Sequence, residues 1–199
     1  MYYLKGTIIN ILNAFLNRFN TTAQSYAANM KLNSHEYDQE SHSSIIDFYT
    51  EKYLAEYKVA NRKNSLIIDS LGKIDVSKLR ENSYEAIVLK NILCYTKDYS
   101  SLISECQRLL KKGGKLYATV STIPVNHERN KRIWGLTENS LRYILKKKFK
   151  NNSIVTKGYG NVLVGRFLLA GKNVDELSKK ELSHYDPYFS IIVGVCATK

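Results

Sequence analysis

From residue 65 to the end of the chain, short apolar segments with the length of β-strands alternate with segments of helical spacing. The five strand-like segments are residues 65–69, 85–89, 116–120, 153–156 and 190–197. Segment 85–89 is apolar on both faces, which is typical of a strand buried between two layers of helices. Because alternating strands and helices build parallel sheets with crossover helices, this order predicts an α/β fold over residues 65–199.

Cap residues predict where the intervening helices begin and end. Asp98 or Ser100 is expected to start the helix that follows the second strand. Gly113-Gly114 is expected to end that helix as a left-handed C-terminal cap, and Thr137 to start the next one. Two short helices are predicted before the closing strand, at residues 162–170 and 174–182.

Residues 1–64 have a different character and predict a helical N-terminal extension with a polar loop. Residues 5–20 carry one apolar stripe, which predicts a helix packed on its own core; docking to a membrane surface or a partner is the alternative. Residues 21–43 are polar, and residues 44–60 return to helical spacing. Since this extension is too short for two strand–helix units, the sheet is expected to lack one or two strands.

Composition narrows the functional classes. The 199-residue chain has 30 basic and 18 acidic residues, a net charge of +12, spread along the sequence without a recognisable nucleic-acid-binding module. This spread argues against a nucleic-acid partner. No stretch reaches the ~18 apolar residues of a transmembrane segment. Cys94, Cys106 and Cys196 have no metal or disulfide spacing, which indicates reduced, buried thiols in a cytoplasmic protein.

Five motifs follow one another through residues 65–199. Residues 84–93 form a strand motif that begins Tyr-Glu-Ala-Ile, and residues 109–116 form a Leu-Lys-Lys-Gly-Gly-Lys-Leu turn. Three later motifs are Trp134-Gly135-Leu136-Thr137 followed by Leu141, Gly158-Tyr159-Gly160-Asn161-Val162, and Asp186-Pro187-Tyr188-Phe189. The ordered set resembles class I S-adenosylmethionine (SAM) dependent methyltransferases, and the last three motifs are similar to a subgroup associated with polysaccharide biosynthesis.

The resemblance implies a Rossmann-like fold in which SAM lies across the carboxyl ends of the parallel strands. It implies that Lys90 and Asn91, which follow the second strand, border this crevice near the methionine part of SAM. It also implies an acidic residue that contacts the adenine. Asp69 and Asp75 compete for this role, and the spacing to Glu85 favours Asp75.

The chain departs from this family at the first glycine turn. A "GxGxG" turn lets backbone N–H groups approach the carboxylate end of SAM. Before Gly113 this chain has only Gly6 and Gly72, and neither belongs to a glycine-rich turn. Glu85 replaces the family's Asp, and its usual His is replaced near Cys94. We therefore expect a class I methyltransferase fold that is truncated or degenerate in its N-terminal half, with SAM bound weakly or lost.

Three functions stay open on the sequence. The first is a SAM-dependent methyltransferase of glycan or small-molecule metabolism. Its catalytic residues are unassigned, and His127, Glu128 and His184 are the nearby candidates for a base. The second is an inactive pseudo-methyltransferase that serves as a partner or scaffold subunit. A homodimer, or a methyltransferase or glycosyltransferase partner, would then cover the shortened sheet edge. The third, an RNA-binding or RNA-modifying protein, ranks last.

Overall fold

The strand-like segments form one mixed sheet in the computed structural model of the protein. The structure describes residues 39–59, 64–70, 74–123 and 132–199, with side chains from residue 45 onward in the first of these ranges. The chain divides into two compact units, Met1–Tyr37 and Asp38–Lys199, and the sheet lies in the second. The helix predicted at residues 5–20 and most of the polar loop predicted at residues 21–43 lie outside the described residues.

The sheet confirms the predicted α/β arrangement. Its strands are β1 (Ser65–Ile68), β2 (Tyr84–Lys90), β3 (Leu110–Ser121), β4 (Ile154–Tyr159) and β5 (Ile192–Thr198). Their order is β1-β2-β3-β5-β4 within the described residues. Strands β1, β2 and β3 run parallel, with Ile87 opposite Leu116, so the two central strands share one sheet as predicted. The closing strand β5 runs antiparallel to both β3 and β4.

Helices cover both faces of the sheet. The helices are α1 (Gln39–Glu56), α2 (Tyr99–Leu109), α3 (Glu138–Leu145), α4 (Val162–Leu169) and α5 (Lys179–Ser183). The side chains of β2 alternate between the two faces, as the pleat of a strand requires. Ile87 and Leu89 face the core formed with α2 and α3, and Ala86 and Val88 face the core formed with α1, α4 and α5. Two apolar cores therefore sandwich the sheet.

Helix α1 extends further toward the N-terminus than its periodicity indicates. Helical spacing predicts residues 44–60, but the helix begins at Gln39 and ends at Glu56. Its Ile45, Tyr49 and Tyr53 are buried against the sheet, so α1 lies in the same compact unit as β1 to β5. None of the described helices is long and apolar enough to cross a membrane.

The glycine pair of the second motif does not end a helix, which corrects the prediction for Gly113-Gly114. Helix α2 starts after Asp98, which is one of the two predicted cap residues. It ends at Leu109, before the glycine pair. Leu110 is already extended and begins β3. Gly113 has φ of +77° within β3, where the register with β2 shifts. The glycine therefore accommodates a strand irregularity, because the left-handed conformation suits a bulge as well as a helix end.

Helices α3 and α4 begin at the polar residues that the motifs supply. Thr137 caps α3, with its hydroxyl accepting from the Ser140 N–H while the Ser140 hydroxyl accepts from the Thr137 N–H. This confirms the predicted cap. Asn161 caps α4, and Gly171, with φ of +69°, follows its C-terminus. The predicted helix 174–182 is instead a 3₁₀ turn, Val174–Glu176, followed by the short helix α5.

Candidate functional site

The carboxyl edge of the sheet is where an α/β fold of this type binds its ligands. Strands β1, β2, β3 and β4 all end at this edge, and the antiparallel β5 begins there. Asp69 follows β1, Asn91 follows β2, and Thr122 follows β3. The edge has two distinct parts: the end of β2, which α1 contacts, and an open cleft beside β3 and β4.

At the end of β2, side chains of α1 engage both residues that the sequence assigns to the crevice. The Lys90 Nζ lies 2.6 Å from a carboxylate oxygen of Glu51. The Asn91 amide donates to the Thr50 hydroxyl over 3.1 Å. The backbone N–H of Asn91 donates to the Thr119 carbonyl over 3.0 Å, and its φ of +52° turns the chain out of the strand. Helix α1 therefore closes the end of β2.

One acceptor at this position is left without a partner. The Asn91 Oδ1 is buried and has no hydrogen-bond partner among the described residues. A buried amide oxygen of this kind accepts readily from an ammonium group. It is a single atom, however, and the amide nitrogen and the neighbouring Lys90 are already occupied. The contacts with α1 thus occupy most of the polar groups that the sequence assigns to the cofactor.

The structure places Asp75 away from Lys90 and Asn91. Asp75 caps the 3₁₀ turn Val76–Lys78, where its carboxylate accepts from the Ser77 N–H and hydroxyl over 3.2 and 2.6 Å. These hydrogen bonds, together with Lys78, lower the pKa of the Asp75 carboxyl. Arg108, in the last turn of α2, donates to the Val76 carbonyl over 3.2 Å. Since α2 runs back from the carboxyl edge, this turn lies toward the amino edge.

Asp69 is the acidic residue that the fold carries to the carboxyl edge. It directly follows β1, and its exposed carboxylate accepts from the Ser70 hydroxyl over 3.0 Å. The pairing of Ile68 with Leu89 puts Asp69 beside the strand end that carries Lys90. The structure thus brings Lys90, Asn91 and Asp69 to one edge, and it does not bring Asp75 there. The role of each in cofactor binding stays a prediction.

Beside β3 and β4 the carboxyl edge opens into a cleft of about 590 Å³. This volume lies within the range of roughly 300–1,000 Å³ that is typical of small-molecule sites. The cleft is lined by Thr122, Ile123, Thr137, Glu138, Asn139, Gly158, Leu169, Tyr185, Asp186, Pro187, Tyr188, Phe189 and Ser190. All three late sequence motifs contribute to it: the first through Thr137, the second through Gly158 and the third through residues 186–189.

Two glycines of this region are required by close packing. A Cβ on Gly158 would lie 2.8 Å from a carboxylate oxygen of Glu138 and 3.0 Å from the Ser190 Cβ. A Cβ on Gly165 in α4 would lie 2.7 Å from the Phe189 ring. The missing side chains let the loop that carries Phe189 and Ser190 lie directly on β4 and α4. These glycines therefore shape the floor of the cleft.

Asn161 holds the loop that leads into the cleft. It is buried, and its Oδ1 accepts from the Val164 N–H over 3.0 Å at the start of α4. Its amide nitrogen donates to the carbonyls of Glu181 and His184 over 2.8 and 3.0 Å. One side chain thus joins the end of β4, the start of α4 and the end of α5. The chain continues from there into residues 185–190 of the cleft lining.

The candidate bases fall in different places. His127 and Glu128 lie outside the described residues. His184 is exposed and ends α5, where its backbone carbonyl accepts from Asn161. It does not line the cleft. Catalytic residues therefore stay unassigned.

Comparison with known proteins adds a family to this geometry. Residues 46–118, from α1 through most of β3, match the sequence model of the family described as "Methyltransferase domain". This segment, less than half of the chain, is therefore similar to methyltransferase-domain sequences. No curated protein matches the chain at a significant level.

The chain is also similar to several solved methyltransferase structures at low identity. A Thermotoga maritima SAM-dependent methyltransferase, described as a possible histamine N-methyltransferase, is 18% identical, with a TM-score of 0.42 over 61% of this chain and 59% of its own. A SAM-dependent methyltransferase from Mesorhizobium loti is 14% identical, with a TM-score of 0.40 over 63% and 68%. One from Archaeoglobus fulgidus is 10% identical, with a TM-score of 0.46 over 75% and 81%. The chain thus spans less than two thirds of the Thermotoga protein.

Three residues of the candidate site were not predicted from the sequence. Thr50 and Glu51 lie on the helix predicted for residues 44–60, but periodicity does not say which strand end a helix crosses. Glu138 follows the predicted cap Thr137 and is an ordinary first-turn acid by position. Only the fold shows that its carboxylate reaches across Gly158 into the cleft.

Proposed function

We propose that this protein is a cytoplasmic methyltransferase-domain protein of glycan or small-molecule metabolism whose own cofactor site is degenerate. In this proposal it keeps a ligand cleft beside β3 and β4, and it binds SAM weakly or not at all. The three cysteines are buried and form no disulfide, which agrees with a reducing compartment.

The closure of the β2 end by α1 carries the proposal. Admitting a ligand there requires breaking the ion pair of Lys90 with Glu51 and the hydrogen bond of Asn91 with Thr50. The ion pair is partly exposed and contributes little, whereas freeing a part-buried amide costs roughly 1–3 kcal/mol. SAM must offset that cost before any binding is gained. In this proposal, no methyl-transfer step is assigned to residues of this chain.

The sequence of the first turn supports the same conclusion. Before Gly113 the only glycines are Gly6 and Gly72, so this part of the sequence contains no glycine-rich turn. Backbone N–H groups in such a turn receive the cofactor's carboxylate, and side chains with a Cβ crowd that approach. Losing several such contacts, each worth about 1 kcal/mol, weakens binding by orders of magnitude.

The cleft supports a glycan or another polyhydroxyl compound as its ligand class. Its lining combines the rings of Tyr185, Tyr188 and Phe189 with the polar side chains of Asn139 and Ser190. Aromatic faces cover the apolar side of a ring, while amide and hydroxyl groups exchange hydrogen bonds with its hydroxyls. In this proposal, an active methyltransferase ancestor bound its methyl acceptor, a glycan-type compound, in this cleft.

A second candidate function is that of an inactive partner or scaffold subunit. Strand β1 is the outer strand of the sheet within the described residues, and its Ile67 is 48% exposed. An outer strand with an apolar side chain is a template for pairing with another chain. A second copy, or an intact methyltransferase or glycosyltransferase, would cover this edge.

Thermal unfolding with and without SAM tests the proposal. A ligand present at 100 times its Kd stabilises the native state by about 2.7 kcal/mol. For a chain of this size, that stabilisation raises Tm by roughly 5–11 °C. We expect no measurable rise in Tm at millimolar SAM or S-adenosylhomocysteine. A rise of several degrees would show that the chain holds the cofactor, and the degenerate-site proposal would fail.

A further inference from the structure

The cleft beside β3 and β4 carries negative charge in a strongly basic protein. Among the described residues that line it, the charged side chains are the carboxylates of Glu138 and Asp186. The whole chain has 30 basic against 18 acidic residues. The described lining thus has the opposite sign to the molecule, which favours a cationic over an anionic ligand.

Glu138 is a half-buried carboxylate without a counter-charge. It is the first residue of α3, and one of its carboxylate oxygens lies over Gly158. Within the described residues its side chain has no hydrogen-bond or ion-pair partner. Elsewhere in the described chain, six carboxylates form ion pairs: those of Glu51, Glu56, Asp75, Glu85, Glu105 and Glu176. The helix N-terminus offsets part of the cost of burying Glu138, and a bound cation would offset the rest.

The loop of the third motif completes the site. Asp186 accepts from the Tyr188 N–H over 2.9 Å through one carboxylate oxygen, which fixes the turn. Tyr185 and Tyr188 are 62% and 96% exposed, so their ring faces are free to take a ligand. Aromatic faces beside carboxylates attract organic cations through charge and through the ring quadrupole. Asn139 and Ser190 add polar groups to the same lining.

We propose that this cleft binds a small organic cation, a protonated amine that also carries hydroxyl groups. Glu138 and Asp186 supply the counter-charges, Tyr185 and Tyr188 form the aromatic wall, and Asn139 and Ser190 meet the hydroxyls. An amino sugar has this chemistry. The inference rests on the proposed function in one respect, which is that the cleft is the site of the methyl acceptor. Binding of the amine itself requires no SAM.

Titration calorimetry with three sugars of matched ring size tests the inference. The probes are glucosamine, glucose and glucuronate, at low ionic strength and below neutral pH, where the glucosamine amine is protonated. We expect glucosamine to bind at least about tenfold more tightly than glucose, and glucuronate to bind more weakly than glucose. Glu138→Gln keeps the shape of the side chain and should remove most of the preference for the amine. Asp186→Asn should reduce that preference as well.

Control variants separate charge recognition from folding. Asp175→Asn removes a carboxylate that lies outside the cleft and should leave the glucosamine-to-glucose ratio unchanged. Circular dichroism and thermal unfolding check that each variant is folded. Equal affinity for glucose and glucosamine, a preference for glucuronate, binding of none of the three, or an unchanged preference in Glu138→Gln would each overturn the inference. Binding of neutral glucose alone would still leave the proposed glycan cleft and degenerate SAM site standing.

Discussion

At the scale of single residues, a glycine lets the first helix lie directly on the sheet. Gly194 lies in β5 beneath the ring of Tyr53, which is fully buried. A Cβ at Gly194 would lie 2.8 Å from the Tyr53 Cγ and closer still to two other ring carbons. The same ring packs edge-on against Tyr117 and Tyr159, so it has no free direction in which to move.

Gly194→Ala should therefore lower the free energy of unfolding by about 1–3 kcal/mol, the usual cost of overpacking a core. Urea denaturation measures the change. Gly135→Ala is the matched control, because a Cβ there meets nothing within 4 Å and should change stability by less than about 0.5 kcal/mol. Equal stability of the two variants would show that α1 does not press on β5 as described.

Asn161 joins three elements, and its removal should cost more than the loss of a helix cap. Asn161→Ala removes the α4 cap and leaves the carbonyls of Glu181 and His184 without their donor. We expect the free energy of unfolding to fall by about 2–4 kcal/mol. The lost helix cap contributes about 1 kcal/mol of this, and the unpaired carbonyls contribute the rest. Thr137→Ala removes an exposed cap only and should cost about 1 kcal/mol. Urea denaturation should rank the two in that order; a smaller loss in Asn161→Ala would contradict it.

At the scale of elements, two ion pairs hold the C-terminal half of α1 to the sheet. Glu51 pairs with Lys90 beyond β2, and Glu56 accepts from Lys157 Nζ over 2.6 Å and from the Tyr159 hydroxyl over 2.8 Å on β4. Burial raises the pKa of the Glu56 carboxyl, but the hydrogen bonds from Lys157 and Tyr159 outweigh it and lower the pKa below 4.5. The ionised form of Glu56 is therefore favoured by folding.

This lowered pKa predicts an acid-dependent part of the stability. The contribution of Glu56 is fully present above its unfolded pKa and is lost as the pH falls through the lower folded pKa. Glu56→Gln should therefore flatten the decrease in unfolding free energy on going from about pH 5 to about pH 3. Tyr159→Phe, which removes one of the two donors, should give an intermediate slope. Identical slopes in the wild type and Glu56→Gln would contradict the assigned network.

The elements were predictable from the sequence to different degrees. All five strands were predicted because each is a short apolar run bounded by polar residues or glycine, and Thr137 marked α3 by its side-chain chemistry. Gly113-Gly114 was misassigned because a glycine at positive φ serves a bulge as well as a helix end. The closure of the crevice was not predictable, since Thr50 and Asn91 are 41 residues apart and no local pattern joins them.

At the scale of the whole molecule, the two outer strands of the described sheet differ in how they are covered. At β4, the Arg142 guanidinium donates to the Ile154 carbonyl over 2.9 Å and so occupies an edge acceptor. At β1, Ile67 is half exposed, and no described strand pairs with its outer side. If a partner is present, it is therefore expected at β1.

We predict that the protein associates through β1, as a homodimer when no other partner is supplied. Light scattering after size exclusion should give twice the chain mass of 22.8 kDa. Ile67→Lys should shift the population toward monomer, because a charge on an outer strand opposes pairing. Val155→Lys, at an equally exposed position on β4, should leave association unchanged. A monodisperse 22.8 kDa wild-type monomer would refute the prediction.

Our central proposal is that this chain, which resembles methyltransferases over residues 46–118, has a closed cofactor site, because α1 contacts the end of β2 and no glycine-rich turn precedes Gly113. Isothermal titration of the purified full chain with SAM tests it most directly. Low-micromolar binding corresponds to about −7 to −8 kcal/mol, which the remaining contacts at Asn91 and Asp69 do not supply. The account predicts no saturable heat, or a Kd weaker than about 1 mM. A Kd in the low micromolar range, lost when Asn91 is replaced by Ala, would contradict it and show that another part of the chain has replaced the glycine turn.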